Sequence, residues 1–227
     1  MGGQPSQSTQ LQILRFVSEP LRSEIERRLH RVRAGKGRAL VEKGTRSTDV
    51  FFLVDGQAQV LLYSSNGREV CVNTIGPGDV IGEIAALDGE PRSASVVAST
   101  DIEVLVMRTS DFMACVDSSP AAGVWLARRL ATSVRRLTEQ VFELSALNVR
   151  TRIHCELLRL AQKAEPHNGG IEVRPAPTHA ELANRIGTHR EAVTREMHAL
   201  SDMGIIRYSR RVLTILDLAR LERITPR

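Results

Sequence analysis

Hydrophobic residues along the chain recur with three different spacings, and each spacing predicts a different kind of structure. Between residues 11 and 33 they recur at helical spacing, and Pro20 interrupts the run, so we expect two short helices. From about 35 to 110, short apolar runs alternate with turn dipeptides such as Asp55-Gly56 and Asn66-Gly67, which are typical of hairpins. Many short strands at regular spacing predict a sandwich, roll or barrel.

The third spacing predicts one long helix from about 120 to 147. Its apolar positions alternate four and three residues apart, and we call them the seam: Leu130, Val134, Leu137, Val141 and Leu144. Valine at a and leucine at d favour a parallel two-stranded coiled coil, so we expect a homodimer. The alternative is that the seam packs on the chain's own β-roll. Asn148 follows; it either continues the seam or, as we favour, caps the next helix.

The region from 178 to 216 predicts two short helices, joined at Gly187, and then two strands. Thr178 and Glu181 have the spacing of a capping box, and residues 188–191 repeat it before the second helix. Two helices joined through glycine, the second with a charged outer face, are typical of a helix-turn-helix. The strands flank Ser209, Arg210 and Arg211, and they predict a wing with a basic tip.

These patterns divide the chain into four parts and predict an α+β fold. We expect a disordered tail over residues 1–10 and a β-roll domain over 11–119. A dimerisation helix over 120–147 and a winged helix-turn-helix domain over 148–227 follow.

Charge separates the front of the chain from the back. Residues 1–149 carry 17 Lys and Arg against 17 Asp and Glu, and residues 150–227 carry 14 against 9. A basic back indicates a polyanionic partner, although a solvated basic surface would give the same count. Three scattered cysteines fit reduced thiols in the cytoplasm. There is no signal-peptide pattern and no run of about 18 apolar residues, so we expect no membrane partner.

Residues 82–94, between two strands, have the chemistry of an anion site. A helical turn that begins near Glu83 offers free backbone N–H groups, and Gly82 allows close approach to the backbone. Arg92 is a forked donor that suits a phosphate, while Glu83 suits a sugar hydroxyl. Together they describe a ligand with both groups. The alternative is an ordinary surface ion pair between Glu83 and Arg92.

This segment resembles the phosphate-binding cassette of the cyclic-nucleotide-binding domain family over about 13 residues. The resemblance implies that Glu83 binds the ribose 2′-hydroxyl and Arg92 the cyclic phosphate. The residues that complete the cradle by this resemblance are Ser93 and the backbone of Gly82, Ile84 and Ala85. By the same resemblance, Thr138, beside the seam, lies at the position from which the long helix contacts the base. The spacing from Glu83 to Arg92 resembles that of kinase regulatory subunits and leaves cyclic AMP and cyclic GMP both open.

The whole arrangement, from about residue 13 to 216, resembles the CRP/FNR family of bacterial regulators. The string of residues 187–195 matches that family's recognition helix. The match implies that Arg190, Glu191 and Arg195 read a TGTGA-like half-site and that two protomers read a palindrome, although Glu191 could instead cap its helix or pair with Arg195. The expected DNA interface comprises Thr188, His189, Arg190, Glu191, Arg195, Arg210 and Arg211. Double-stranded DNA, a second copy and RNA polymerase are the implied partners.

Rival functions fit the sequence less well. A cupin-like metal enzyme needs histidine ligands in its β domain, and no histidine lies between His30 and His154. We therefore expect neither an enzyme nor a metal site. The same gap argues against haem ligation, and an N-terminal cysteine set for an iron–sulfur cluster is missing. One alternative stays open: a CRP/FNR-type regulator that is ligand-independent or senses another effector.

Overall fold

The computed structural model describes residues 11–65, 69–167 and 170–225. The chain forms two compact units, residues 1–134 and 135–227, which divide within a long helix. The expected tail over 1–10 and the Asn66-Gly67 turn lie outside the described residues.

The first unit opens with two short helices, as Pro20 predicts. A 3₁₀ helix spans Gln12–Phe16, and α1 spans Glu19–Arg28 with the proline in its first turn. There proline costs no hydrogen bond, because the first N–H groups of a helix have no partner within it. The expectation of helix up to residue 33 is wrong, since residues from His30 form a strand that pairs with residues 102–106.

Two four-stranded antiparallel sheets make the body of this unit. The strands and one short helix are β1 (His30–Ala34), β2 (Ala39–Val41), β3 (Val50–Asp55), β4 (Ala58–Tyr63), β5 (Glu69–Ile75), β6 (Val80–Ile81), α2 (Glu83–Asp88), β7 (Ser95–Ala98) and β8 (Ile102–Met107). The strand orders are β1-β8-β3-β6 in one sheet and β2-β7-β4-β5 in the other. Alternate residues such as Leu53, Val104 and Val96 point inward and form the core.

The turn at Asp55-Gly56 is real, but it does not close a hairpin. It joins β3 and β4, which belong to different sheets. A Cβ on Gly56 would lie 2.2 Å from the carbonyl oxygen of Asp101, so glycine is required by this close approach as well as by its φ of +83°. The Asp55-Gly56 dipeptide therefore predicted the tight turn correctly, but the prediction that the strands on either side pair as a hairpin is wrong.

Two helices follow the β-roll. The first, α3 (Thr109–Ser118), was not expected, and it buries Phe112 and Cys115 in the core of the first unit. The long helix α4 spans Pro120–Ala146, within one residue of the expected end. Leu130 packs against the core of the first unit. The other four seam residues are exposed: Val134 (62%), Leu137 (40%), Val141 (63%) and Leu144 (44%).

The second unit contains the expected pair of helices after a long one. The helices are α5 (Val149–Gln162), α6 (His179–Ile186), α7 (Arg190–Asp202) and α8 (Leu218–Arg223). Asn148 caps α5, because its side chain accepts a hydrogen bond from the backbone N–H of Thr151 at 2.9 Å. Thr178 and Glu181 form the expected capping box at the start of α6, and Gly187 ends that helix with a φ of +66°.

A four-stranded sheet completes the second unit. Its strands are β9 (Glu165–His167), β10 (Gly170–Val173), β11 (Ile206–Ser209) and β12 (Val212–Ile215), in the order β11-β12-β10-β9. The last two are the predicted wing, whereas β9 and β10 were not predicted. The α+β class, with a β-roll, a long helix and a winged helix-turn-helix, is confirmed.

Candidate functional site

Gly82 sets the geometry of residues 82–94, which we call the pocket segment, and of the pocket that they line. It is the N-cap of α2, with a φ of +87°, a left-handed conformation that other residues rarely adopt. A Cβ at this position would lie 2.1 Å from Nη1 of Arg92 and 2.9 Å from the carbonyl oxygen of Asp49. Glycine is therefore required both by the backbone and by the guanidinium that packs against it.

The guanidinium of Arg92 is buried, and its hydrogen bonds among the described residues go to uncharged groups. Its residue is 3% exposed. Nη1 donates to the carbonyl oxygen of Gly82 at 3.0 Å, Nη2 to that of Asp49 at 2.6 Å, and Nε to Oγ of Ser47 at 3.1 Å. Burial lowers the pKa of Arg92, while the Asp49 and Glu83 charges raise it. The alternative to an anion site was an ordinary surface ion pair between Glu83 and Arg92. In the described part of the chain, Arg92 instead donates to these three oxygen atoms.

Glu83 lies beside this cation at the first position of α2 and is partly buried. Burial raises the pKa of its carboxyl group, and the charge of Asp79 raises it further. Its own backbone N–H and the positive charges of Arg129 and Arg92 oppose that rise. Arg129 is itself held by Oδ1 of Asp79 at 3.1 Å. A carboxylate and a guanidinium thus share a part of the pocket where solvent is largely excluded.

These observations fit a cyclic nucleotide. A buried guanidinium without a hydrogen-bonded carboxylate has two of its five N–H groups left for an anion such as a phosphodiester. Of the other expected cradle residues, Ala85 is buried, whereas Ile84 and Ser93 are exposed. Thr138 is exposed on α4. Sequence reasoning missed Ser47, Asp49 and Arg129, because their link to the pocket exists only in the folded chain.

The outer face of α7 presents the residues expected to read DNA. Arg190, Glu191 and Arg195 are exposed, and the described contacts of their side chains include no ion pair or hydrogen bond. The expected second capping box is wrong, since α7 begins at Arg190 with His189 as its N-cap. Glu191 therefore lies in the first turn, one position earlier than a box requires. His189 is exposed and Thr188 is partly buried.

The wing tip carries the two expected arginines in a tight turn. Arg210 and Arg211 have positive φ values of 48° and 62°, which are typical of a two-residue hairpin turn. Arg211 donates through Nε to the carbonyl oxygen of Ala176 at 3.1 Å, and its Nη2 lies 3.4 Å from Oε2 of Glu181. Arg210 is exposed. Only one of the two arginines thus points away from the unit without a described partner.

Two histidines, His154 (buried) and His179 (partly buried), support this face, and sequence reasoning did not identify either as functional. Nδ1 of His179 lies 2.9 Å from Oγ1 of Thr194 on α7. Burial lowers the pKa of His179, as do the charges of His198 and Arg190. On α5, Nε2 of His154 donates to Oε1 of Glu196 at 2.7 Å.

Other kinds of site have less support. Within the described ranges, no group of three or more His, Cys, Asp or Glu residues has the arrangement to hold a metal ion. No helix in the described part of the chain has the length and hydrophobicity needed to cross a membrane. None of the three cysteines, Cys71, Cys115 and Cys155, forms a disulfide in the described part of the chain, and burial raises the pKa of the Cys115 thiol to about 12.

Two family models match the two parts of the chain. The model of the cyclic nucleotide-binding domain matches residues 31–119. The model of the Crp-like helix-turn-helix domain matches residues 151–224. The first match includes the whole pocket segment, and the second includes α6, α7 and the wing.

Known proteins with the same two parts are similar to this chain along most of its length. The cyclic AMP receptor protein of Thermus thermophilus is 31% identical over 205 residues, which are 89% of each chain. A CooA mutant from Carboxydothermus hydrogenoformans has a similar fold, with a TM-score of 0.79, 21% identity and coverage of 96% and 95%. The c-di-GMP responsive regulator CLP of Xanthomonas campestris also has a similar fold, with a TM-score of 0.74 and 19% identity. The match covers 87% of this chain and 99% of CLP.

The matched domains and relatives together assign the chain. Its relatives are transcription regulators rather than enzymes, and the same holds for this chain. The protein belongs to the CRP/FNR family of transcription regulators, with a cyclic nucleotide-binding domain followed by a DNA-binding helix-turn-helix.

Proposed function

We propose that the protein is a homodimeric regulator that binds a TGTGA-like palindrome when a cyclic nucleotide occupies residues 82–93. The observation that carries this proposal is Arg92, a guanidinium that is 3% exposed and donates only to two carbonyls and a hydroxyl. A buried cation without a hydrogen-bonded anion is costly, and a phosphodiester would offset that cost.

Each end of the ligand has a partner in this proposal. Arg92 binds the cyclic phosphate, with Ser93 and the backbone of Gly82, Ile84 and Ala85 around it. The carboxylate of Glu83 accepts a hydrogen bond from the ribose 2′-hydroxyl. Thr138 contacts the base, and its exposed side chain beside the seam supports that role. Cyclic AMP is the first nucleotide to test, because the Thermus thermophilus relative is named a cyclic AMP receptor protein.

The exposed seam supports the homodimer. Four large hydrophobic side chains at a and d positions are exposed along one face of α4. Water contact with such a stripe is unfavourable, and a second copy of the same helix would cover it by knobs-into-holes packing. Two-fold symmetry then gives the DNA site its palindrome, with recognition helices about 34 Å apart.

The end of α4 is connected to the helix-turn-helix, which supports an allosteric response. Glu143 pairs with Arg159, and Arg159 pairs with Glu156 at 2.9 Å. Glu156 also pairs with Arg185 of α6 at 3.2 Å. Next to Glu143, Leu144 contacts the glycine turn between α6 and α7. A change at the end of the seam would therefore act directly on the DNA-reading helices.

The reading residues divide into base and phosphate contacts. Arg190 and Arg195 bind guanine O6 and N7, and Glu191 accepts from cytosine N4. Thr188, His189, Arg210 and Arg211 lie nearer the sugar-phosphate backbone. RNA polymerase is the further partner, and the cytoplasm is the compartment that we propose.

Titration of both nucleotides tests this function. Calorimetry with the pure protein is expected to show cyclic AMP or cyclic GMP bound at one site per protomer. Fluorescence anisotropy of a TGTGA palindrome is then expected to show tighter DNA binding with that nucleotide, and sedimentation is expected to show a dimer. DNA binding that is tight without either nucleotide would instead favour the ligand-independent alternative. DNA binding that requires a different effector, such as c-di-GMP, would instead favour a regulator that senses another effector.

A further inference from the structure

Glu196 lies on the recognition helix next to Arg195, yet it faces the protein rather than solvent. Its Oε1 accepts a hydrogen bond from Nε2 of His154 at 2.7 Å and another from Nε of Arg150 at 2.9 Å. Both donors belong to α5, four residues apart and therefore on one face of that helix. One carboxylate oxygen thus joins α5 to α7 through two directional bonds.

The pair of His154 and Glu196 is shielded from water. The His154 side chain is 2% exposed and that of Glu196 is 13% exposed, while Arg150 closes the outer side and is 59% exposed. Nδ1 of His154 is buried and has no hydrogen-bond partner among the described residues. Among the described residues, Glu196 is therefore the hydrogen-bond partner that orients the His154 imidazole ring. An apolar pair of similar size would stabilise such a position as well or better, so stability alone does not explain a buried polar pair here.

Buried apolar residues of both helices also belong to one core cluster, among them Ile153, Leu157, Val193 and Met197. Apolar contacts are not directional, so they restrict the rotation of a helix less tightly than hydrogen bonds do. A rotation of about 20° moves an atom at the outer radius of a helix, about 5–6 Å from its axis, by about 2 Å. Such a movement would break a bidentate hydrogen bond to a base.

We propose that Glu196 is a positioning residue for base recognition, because the bonds from His154 and Arg150 set the rotation of α7 relative to α5. The inference rests on the proposed base reading by the outer face of that helix. Glu196 touches no base in this proposal and acts through its neighbour Arg195.

The test measures discrimination, defined as the ratio of affinities for a TGTGA palindrome and for the same duplex with one base pair of the half-site changed. Full-length protein is used with saturating nucleotide. We expect Glu196→Ala to lower this ratio by about tenfold, within the range found for residues that couple to a site without contact. Glu196→Gln keeps an acceptor for His154 and is expected to retain most of the ratio.

Two controls separate positioning from folding and from charge. Glu222→Gln removes the same charge from an exposed site on α8 and is expected to leave the ratio unchanged. The double variant His154→Leu with Glu196→Leu replaces the pair by apolar packing. We expect its melting temperature to recover relative to Glu196→Ala, while the ratio stays low. Recovery of the ratio together with the melting temperature would show a purely structural role and overturn the proposal.

Arg195→Ala, measured in parallel, distinguishes the two proposals. A lower ratio for Arg195→Ala with an unchanged ratio for Glu196→Ala would overturn the positioning role and leave base reading in place. An unchanged ratio for Arg195→Ala would overturn base reading by that residue and the positioning role with it.

Discussion

The arginine of the nucleotide pocket and the two arginines expected to read bases are held in opposite ways. Arg92 is 3% exposed, and three of its donors are already directed at oxygen atoms of its own unit. Arg190 and Arg195 are exposed, and no ion pair is described for either. The first side chain has been desolvated during folding, whereas the other two remain exposed to solvent.

This difference predicts different binding behaviour. A preordered, desolvated guanidinium costs little further entropy when an anion arrives, so one residue can dominate the affinity for a small ligand. Exposed arginines must be ordered on the DNA, and their value depends on which base edge they meet. We therefore expect substitution of Arg92 to lower the affinity for the nucleotide as a whole. Substitution of Arg190 or Arg195 is expected to lower the affinity for particular DNA sequences.

The largest expected effect is that of Arg92→Leu. Truncation of one partner of a buried charge pair costs about 2–5 kcal/mol, which corresponds to a loss of about thirtyfold or more in nucleotide affinity. Calorimetric titration of the variant measures this loss. Unchanged affinity would contradict the pocket and remove the contrast between the two units.

Two further variants show whether the fork or the charge matters. Arg92→Lys keeps the charge but not the planar donors, so we expect an intermediate affinity. Arg33→Leu removes an exposed arginine of the same unit and is expected to leave nucleotide affinity unchanged. Circular dichroism of each variant checks that the unit remains folded.

The next effect, in order of size, is that of Arg195→Ala. Loss of a bidentate contact to guanine is expected to cost about 1–3 kcal/mol of discrimination at one base pair. Anisotropy titrations against a set of duplexes, each with one base pair changed, locate that position. Equal weakening on every duplex would identify Arg195 as a phosphate contact.

Arg210→Ala at the wing tip is the matched control for Arg195→Ala. It removes an exposed arginine of the same unit, and we expect equal weakening on every duplex, with a salt dependence smaller by about one counterion. A sequence-dependent loss at Arg210 would contradict its assignment to the backbone.

The success of sequence reasoning follows the range of the interactions involved. The capping box at Thr178 and the cap at Asn148 were predicted, because their bonds join residues three positions apart. The periodicity of α4 was equally local. The second capping box failed although its letters fit, since α7 begins one residue later, at Arg190. Spacing alone does not fix the first residue of a helix.

Contacts between distant residues were not accessible in this way. The strand at His30–Ala34 continued a helical pattern, yet its pairing with β8, about 70 residues later, decides its conformation. The groups that hold Arg92 belong to residues 47, 49 and 82, and no local pattern links them. Gly82 and Arg92 were identified by the chemistry of their residue types, and a resemblance then implied their roles, while their mutual packing emerged only from the fold.

The smallest expected effect concerns Glu83 and pH. Burial raises the pKa of its carboxyl group, so folding favours the protonated form. The resulting stability is present at low pH and is lost as pH rises through the raised pKa. A ribose hydroxyl that donates to the carboxylate favours the ionised form instead. Nucleotide affinity is therefore expected to fall on acidification, at a pH above that of an ordinary glutamate and by at most about tenfold per pH unit.

The variant Glu83→Gln isolates this proton. It keeps an oxygen acceptor for the hydroxyl but cannot ionise, so its affinity is expected to be lower at neutral pH, by about 0.5–1.5 kcal/mol, and flat across the acidic range. Because Arg92 does not titrate in this range, it is expected to contribute equally at every pH. If the nucleotide affinity of the wild-type protein also does not change on acidification, ionisation of Glu83 does not contribute to binding. The affinity would then depend on Arg92 without the Glu83 carboxylate.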